Sequence, residues 1–115
     1  MKHKLCREMV YVAYSMINAY YHESKRVFRI RRGSLHHRYV VNRYDIEVYG
    51  KKEDLEALRT WLISKLEAGG YVKTERTSWK KEVDGRQLYF NLDEVLSDMY
   101  GHPVTPVLRL NPFAF

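Results

Sequence analysis

At 115 residues, the chain is long enough for one hydrophobic core and too short for two domains. With 45% hydrophobic and 30% charged residues, its composition is that of a globular protein and excludes the disordered and fibrous classes. The formal net charge of +6 is unevenly distributed, because residues 1–43 carry ten basic and two acidic side chains, whereas residues 44–115 carry ten basic and twelve acidic ones.

The first predicted element is a helix over about residues 3–22. Its apolar side chains recur at steps of three and four residues, as on a helix that faces a core: Leu5, Met9, Val12, Ala13, Met16, Ile17 and Tyr20. Val10, Tyr14 and Tyr21 widen this arc, which favours either deep burial or a homodimer contact through the second face. The uncharged run of residues 10–21 is far shorter than the roughly 20 apolar residues of a membrane span, so no membrane association is expected.

A β-hairpin is predicted next. β-branched and aromatic residues become frequent in residues 25–32 and 38–49, and Gly33 with Ser34 between them is typical of a turn. In the second strand the even positions are apolar and predict the core-facing side, namely Val40, Tyr44, Ile46 and Val48. The odd positions are then expected to face solvent.

The strongest helix signal lies in residues 51–68. Acidic residues occupy its first turn, where the helix dipole favours them, and Gly69–Gly70 end the pattern. One apolar stripe predicts the buried side of this helix, formed by Leu55, Leu58, Leu62 and Leu66.

A second hairpin is predicted over residues 71–92, closed by Asp84–Gly85 as a type I′ turn. Counting outward from this turn pairs Trp79 with Phe90 on one side of the hairpin and Lys80 with Tyr89 on the other. The side that carries tryptophan and phenylalanine is predicted to face the core.

Asn91 and Glu94 have the spacing of a capping box and predict a short helix that stops at Gly101. Three prolines then keep residues 103–115 extended as an apolar tail. The predicted order is α-ββ-α-ββ-α. It indicates an α+β fold in which residues 1–102 form a single small domain, with a mainly antiparallel four-stranded sheet and the helices packed on one face.

The main candidate site is the basic block from Ser24 to Arg43, which holds seven Lys or Arg residues, six of them Arg, and no acidic residue. A hairpin with this charge can follow a phosphate backbone, and the arginine fork fits phosphate oxygens or a guanine edge. A tyrosine within the block offers a ring to an unstacked base. The sequence therefore predicts a site for DNA or RNA formed by Arg29, Arg31, Arg32, His36, His37, Arg38, Tyr39 and Arg43.

The same charges are compatible with two other interpretations. In one, they form a solvated strand face on which Asp45 and Glu47 pair with Lys25 or Arg29. In the other, the block binds an acidic surface of a protein that handles nucleic acid, as small inhibitors encoded by mobile elements do. The apolar tail then either folds back on its own domain or anchors the partner through Leu108, Leu110, Phe113 and Phe115.

A small metal-dependent nuclease is a third alternative, with ligands from His36, His37, Asp45 and Glu47. Adjacent residues on an extended chain point in opposite directions, however, so the two histidines cannot easily face one ion. The sequence has no glycine-rich phosphate-binding motif, and a non-enzymatic protein without metal or cofactor is expected. Cys6, the single cysteine, excludes an intramolecular disulfide and predicts a reducing, cytoplasmic setting.

Overall fold

The structure, a computed structural model, describes residues 2–38, 41–97 and 100–114. Within these ranges, the side chains that lie outside the description are those of residues 2–6, 32–38, 41–45, 95–97 and 103–104. The described chain forms two helices and six strands, in the order α1 (Lys2–Ser24), β1 (Arg29–Arg38), β2 (Val41–Tyr49), α2 (Lys52–Ala68), β3 (Val72–Glu75), β4 (Ser78–Val83), β5 (Arg86–Ser97) and β6 (Pro103–Ala114).

The six strands form one sheet in the spatial order β1-β2-β6-β5-β4-β3. Every neighbouring pair in the described part of the sheet is antiparallel. The predicted α+β class with an antiparallel sheet is therefore confirmed, whereas the predicted count of four strands is wrong. Strand β6, the last in sequence, lies in the middle of the sheet, between β2 and β5.

The segment predicted as an extended tail supplies this central strand. Leu108 lies opposite Val48 of β2 and Leu110 lies opposite Ile46, and both leucines are fully buried. The three prolines of the segment make this strand hard to recognise from the sequence, because proline lacks a backbone N–H and argues against a central strand. The docking role predicted for Leu108 and Leu110 is wrong for the folded chain, since both side chains belong to its own core.

The short helix predicted after Asn91 is also wrong. β5 continues through this stretch to Ser97 and pairs with β6, which places Leu92 opposite Leu110. The extended backbone buries Leu92 to 1% exposure. Burial of this side chain and completion of the ladder with β6 outweigh a local capping signal, which contributes only about 1 kcal/mol.

Both helices pack on one face of the sheet, α1 against β2 and β6 and α2 against β5 and β6. Helix α2 buries its predicted stripe of Leu55, Leu58, Leu62 and Leu66. Helix α1 turns Val10 inward rather than the predicted Val12, which is 50% exposed. No helix in the described ranges is long and apolar enough to cross a membrane.

The hairpin of β4 and β5 follows the prediction. Asp84 and Gly85 have φ angles of 50° and 76°, the left-handed pair that a type I′ turn requires. Trp79 lies opposite Phe90, and both are buried at 1% exposure. The turn at Arg76–Thr77, which separates β3 from β4, was not predicted.

Candidate functional site

The face of the sheet opposite the helices, hereafter the open face, carries the alternate residues of each strand. One row of charged residues on this face crosses four strands. Arg31 lies opposite Glu47, Glu47 lies opposite Arg109, and Arg109 lies opposite Asp93. The signs of the charges alternate along this row. At the β1 edge, Arg29 and Arg31 are both exposed, so the basic end of the open face lies there.

A β-bulge in β1 determines which basic residues share this face. Arg32 pairs with Ile46 and Leu35 pairs with Tyr44, so Gly33 and Ser34 together lie opposite one residue of β2. The predicted turn at Gly33–Ser34 is therefore wrong. Odd positions of β1 occupy the open face before the bulge and even positions occupy it afterwards, which assigns to this face Arg29, Arg31, His36, Arg38 and, on β2, Arg43.

The distal part of the β1–β2 hairpin, residues 32–38 and 41–45, is named the basic arm. Among the described residues, β2 pairs with β6 from Ile46 to Tyr49 but pairs with β1 from Val41 to Tyr49. The pairing with β6 ends beside the bulge, where a bulged strand bends and gains twist. The basic arm therefore continues beyond the paired part of the sheet as a two-stranded ribbon.

An open concavity lies at the base of the basic arm, lined by Arg29, Ile30, Arg31, Tyr49 and Thr105. The guanidinium carbon of Arg29 is 5.8 Å from the centre of the Tyr49 ring, within the range of a cation–π contact. Tyr49 itself is half-buried. Two guanidinium groups beside an aromatic ring and a hydroxyl are groups that bind the phosphate and the base of a nucleotide.

Glu47, in the neighbouring row, is hydrogen-bonded to Tyr49, which lines this concavity. Tyr49 Oη donates a hydrogen bond to Glu47 Oε2 at 3.0 Å, and Arg109 Nε lies 4.0 Å from the same oxygen. Among the described side chains, the contacts of Glu47 are thus with Tyr49 and Arg109 rather than with the predicted Lys25 or Arg29. The carboxylate of Glu47, beside the concavity, therefore has both of these partners within the sheet.

Arg26 belongs to the basic block but is held at another place. Its Nη1 donates a hydrogen bond to Asp54 Oδ1 in the first turn of α2. This contact holds the pKa of Arg26 above its ordinary value. Arg26 therefore ties the segment before β1 to α2 and lies apart from the predicted site.

A second aromatic feature lies on the open face. Tyr89 of β5 and Phe113 of β6 are opposite in register, and their rings stack with centres 4.8 Å apart and planes inclined by 3°. Lys80 Nζ lies 6.0 Å from the centre of the Tyr89 ring. Phe113, predicted to dock a partner, is therefore a half-buried member of the sheet, and Phe115 lies outside the described residues.

The remaining predicted site residues are not assigned to the open face. The register assigns Arg32 and His37 to the side of the helices, opposite Ile46 and Asn42. Tyr39, the predicted stacking residue, lies outside the described residues.

Thr105 and Arg109 were not predicted as site residues. Val107 and Asn111, on the same face as Arg109, are buried, but in the sequence Arg109 is a charged residue between two leucines, Leu108 and Leu110, which are buried on the opposite face. This pattern is the sequence signal that identifies Arg109 as an open-face residue, and the prolines around it hid the strand.

Among the described side chains, no group of three or more His, Cys, Asp or Glu residues is placed to hold a metal ion. His36, His37 and Asp45 lie outside those side chains, and Glu47 is hydrogen-bonded to Tyr49. The nuclease alternative thus stays a prediction.

The outer side of the helical layer has an apolar groove between α1 and α2. Tyr11, Val12, Met16 and Trp61 line it, and Tyr11 is 64% exposed. The predicted homodimer through the first helix would use this groove, and it stays a prediction.

Comparison of the chain with protein families, with curated proteins and with solved structures finds no match. The geometry and charge of the open face are therefore the grounds on which a function is proposed.

Proposed function

We propose that the protein binds nucleic acid through the β1 edge of its open face and through the basic arm. The observation that carries this proposal is the β-bulge at Gly33–Ser34. Through the bulge, the register aligns basic residue positions of β1 and β2 on the face away from the helices, namely Arg29, Arg31, His36, Arg38 and Arg43. A line of cations along a two-stranded ribbon can follow a phosphate backbone.

The local balance of charge supports an anionic ligand. Residues 29–49 contain five arginines and two histidines against two acidic residues, Asp45 and Glu47. The carboxylate of Glu47 is shared with Tyr49 and Arg109, which lowers its repulsion of a phosphate in the concavity. The hairpin is thus the part of the chain where a polyanion meets the largest basic surplus.

Titration of fluorescent DNA and RNA over a range of salt concentrations tests the proposal. If about four phosphates are neutralised, affinity falls on the order of 100-fold between about 50 and 200 mM salt. Arg31→Gln should lower the slope of log affinity against log salt by about 0.7–0.9, the contribution of one phosphate contact. Arg76→Gln is the matched control, because it removes the same charge from an exposed turn between β3 and β4.

An affinity that is unmeasurable even at low salt contradicts the proposal. So does an equal effect of Arg31→Gln and Arg76→Gln, since the binding would then follow net charge rather than the open face. Circular dichroism and thermal unfolding of both variants establish that the fold is retained.

The position of β1 at the edge of the sheet favours a second candidate, an acidic protein segment that adds a strand beside it. This candidate predicts that an acidic extended peptide binds in the absence of nucleic acid and that Arg31→Gln weakens that binding. Generic DNA and RNA would then not compete with the peptide.

A further inference from the structure

We infer that the nucleic acid bound by this protein is single-stranded, with its bases stacked on aromatic rings of the open face. The inference rests on the proposed function and specifies its ligand. Two aromatic stations on the described part of this face each have a cation beside the ring, which is the combination that binds unpaired nucleotides.

The first station is Tyr49, which lines the concavity together with Arg29 and Arg31. Its hydroxyl is fixed by Glu47, so the orientation of the ring is set before a ligand arrives. A base that stacks on this ring would have its phosphates within reach of two exposed guanidinium groups.

The second station is the stack of Tyr89 and Phe113, with Lys80 beside it. The parallel stack holds both rings in a fixed orientation, which lowers the entropy lost when a base packs against them.

Strand β6 connects the two stations. Tyr49 lies opposite Val107 and Tyr89 lies opposite Phe113, so the stations are six positions apart along β6. At about 3.4 Å per residue the separation is roughly 20 Å. Arg109, which is exposed, lies on β6 between them. A single strand of nucleic acid that reaches both stations has a length within the roughly 4–16 nucleotides that comparable single-strand sites bind.

The shape of the sheet disfavours a duplex at these rings. Six strands about 4.8 Å apart give a surface roughly 24 Å wide, whereas the major groove of DNA is about 12 Å wide. The whole sheet is therefore too wide to enter the groove. In a duplex, the faces of the bases are also occupied by their neighbours. The basic arm has only two strands and is the part that would fit a major groove, so duplex binding is the competing outcome.

The experiment compares a fluorescent oligothymidine of about 12 nucleotides with a duplex of equal total charge, each titrated with the protein at one salt concentration. Tyr49→Leu removes the ring but keeps an apolar side chain. It should lower affinity for the single strand roughly 5- to 100-fold, the effect of one lost base–aromatic stack. Tyr49→Phe keeps the ring and should retain the affinity. Tyr11→Leu, an exposed change on α1, is the matched control.

If Tyr49→Leu disturbs the fold, Phe113→Leu supplies the same test at the second station. Tighter binding of the single strand, lost in these variants and kept in Tyr49→Phe and Tyr11→Leu, supports the inference. Equal or tighter binding of the duplex, insensitive to Tyr49→Leu but weakened by Arg31→Gln, overturns it and leaves the proposed function standing. Binding of neither ligand at low salt removes both.

Discussion

Neighbouring residues on the two faces of strand β6 differ sharply in their exposure to solvent. Leu108 and Leu110 are completely buried under the helices, whereas Arg109 between them is exposed on the other side. Because the side chains of a strand alternate, Arg109 reaches solvent on the open face, whereas Val107 and Asn111, its neighbours on that face, are buried, so accessibility there belongs to particular side chains. Under the proposed function, stability and ligand contact depend on different side chains of the same strands, and they should respond to different substitutions.

The largest expected effect tests the core face. Leu110→Ala removes a side chain packed between Ile46 and Leu92 in register, and should lower the free energy of unfolding by about 2–5 kcal/mol. Arg109→Ala, one residue away on the open face, should lower it by no more than about 1 kcal/mol, because its ion pair with Glu47 is partly exposed. Denaturant unfolding measures both values. Similar losses for the two variants would contradict the separation of the faces.

Most of the helical structure could be predicted from the sequence, because its signals are local. The leucine stripe and the glycine stop define α2 within one stretch of chain, and Asp84–Gly85 defines a turn within two residues. Strand β6 depends on its pairing with β2, whose residues lie 58 to 64 positions earlier in the sequence, and the end of β5 depends in turn on its pairing with β6. The prolines of β6 and the capping-box pattern in β5 gave local signals, and strand pairing overrides both.

The candidate site shows the same division. The basic block and the sharing of a face by Arg29 and Arg31 follow from composition and alternation. The alignment of these residues with His36 and Arg38 does not, because it depends on the bulge. Glycine followed by serine is typical of both a turn and a bulge, and only the pairing with β2 distinguishes the two.

A smaller effect is expected from two arginines of the basic arm that the register assigns to opposite faces. Arg38→Gln should weaken nucleic-acid binding and lower the salt slope by about 0.7–0.9, because position 38 shares the open face with Arg29 and Arg31. Arg32→Gln removes the same charge six residues earlier, at a position on the other face, and should change the slope less. Salt-dependent titration of both variants shows whether an arginine contributes to binding through its alignment on the open face or simply through its proximity to the bound nucleic acid. Equal slopes, or a larger change for Arg32→Gln, would mean that the bulge does not select the binding face.

The smallest expected effect concerns the pH dependence of stability on the core side. Burial raises the pKa of Tyr71, whose ring packs edge-on against Phe90 with centres 5.5 Å apart. In the unfolded chain a tyrosine ionises near its ordinary pKa of about 10, whereas the folded chain keeps Tyr71 neutral to a higher pH. The unfolded state therefore loses this proton first, and the contribution of Tyr71 to stability is complete below about pH 10 and is lost as pH rises towards the folded pKa. Tyr71→Phe has no proton to lose at this position, so it should lose less stability than the wild type between about pH 8 and 11, as measured by denaturant unfolding at both pH values. The ionisation of other groups is common to both proteins and cancels in the comparison, so an equal loss of stability would show that Tyr71 titrates alike in the folded and unfolded chains.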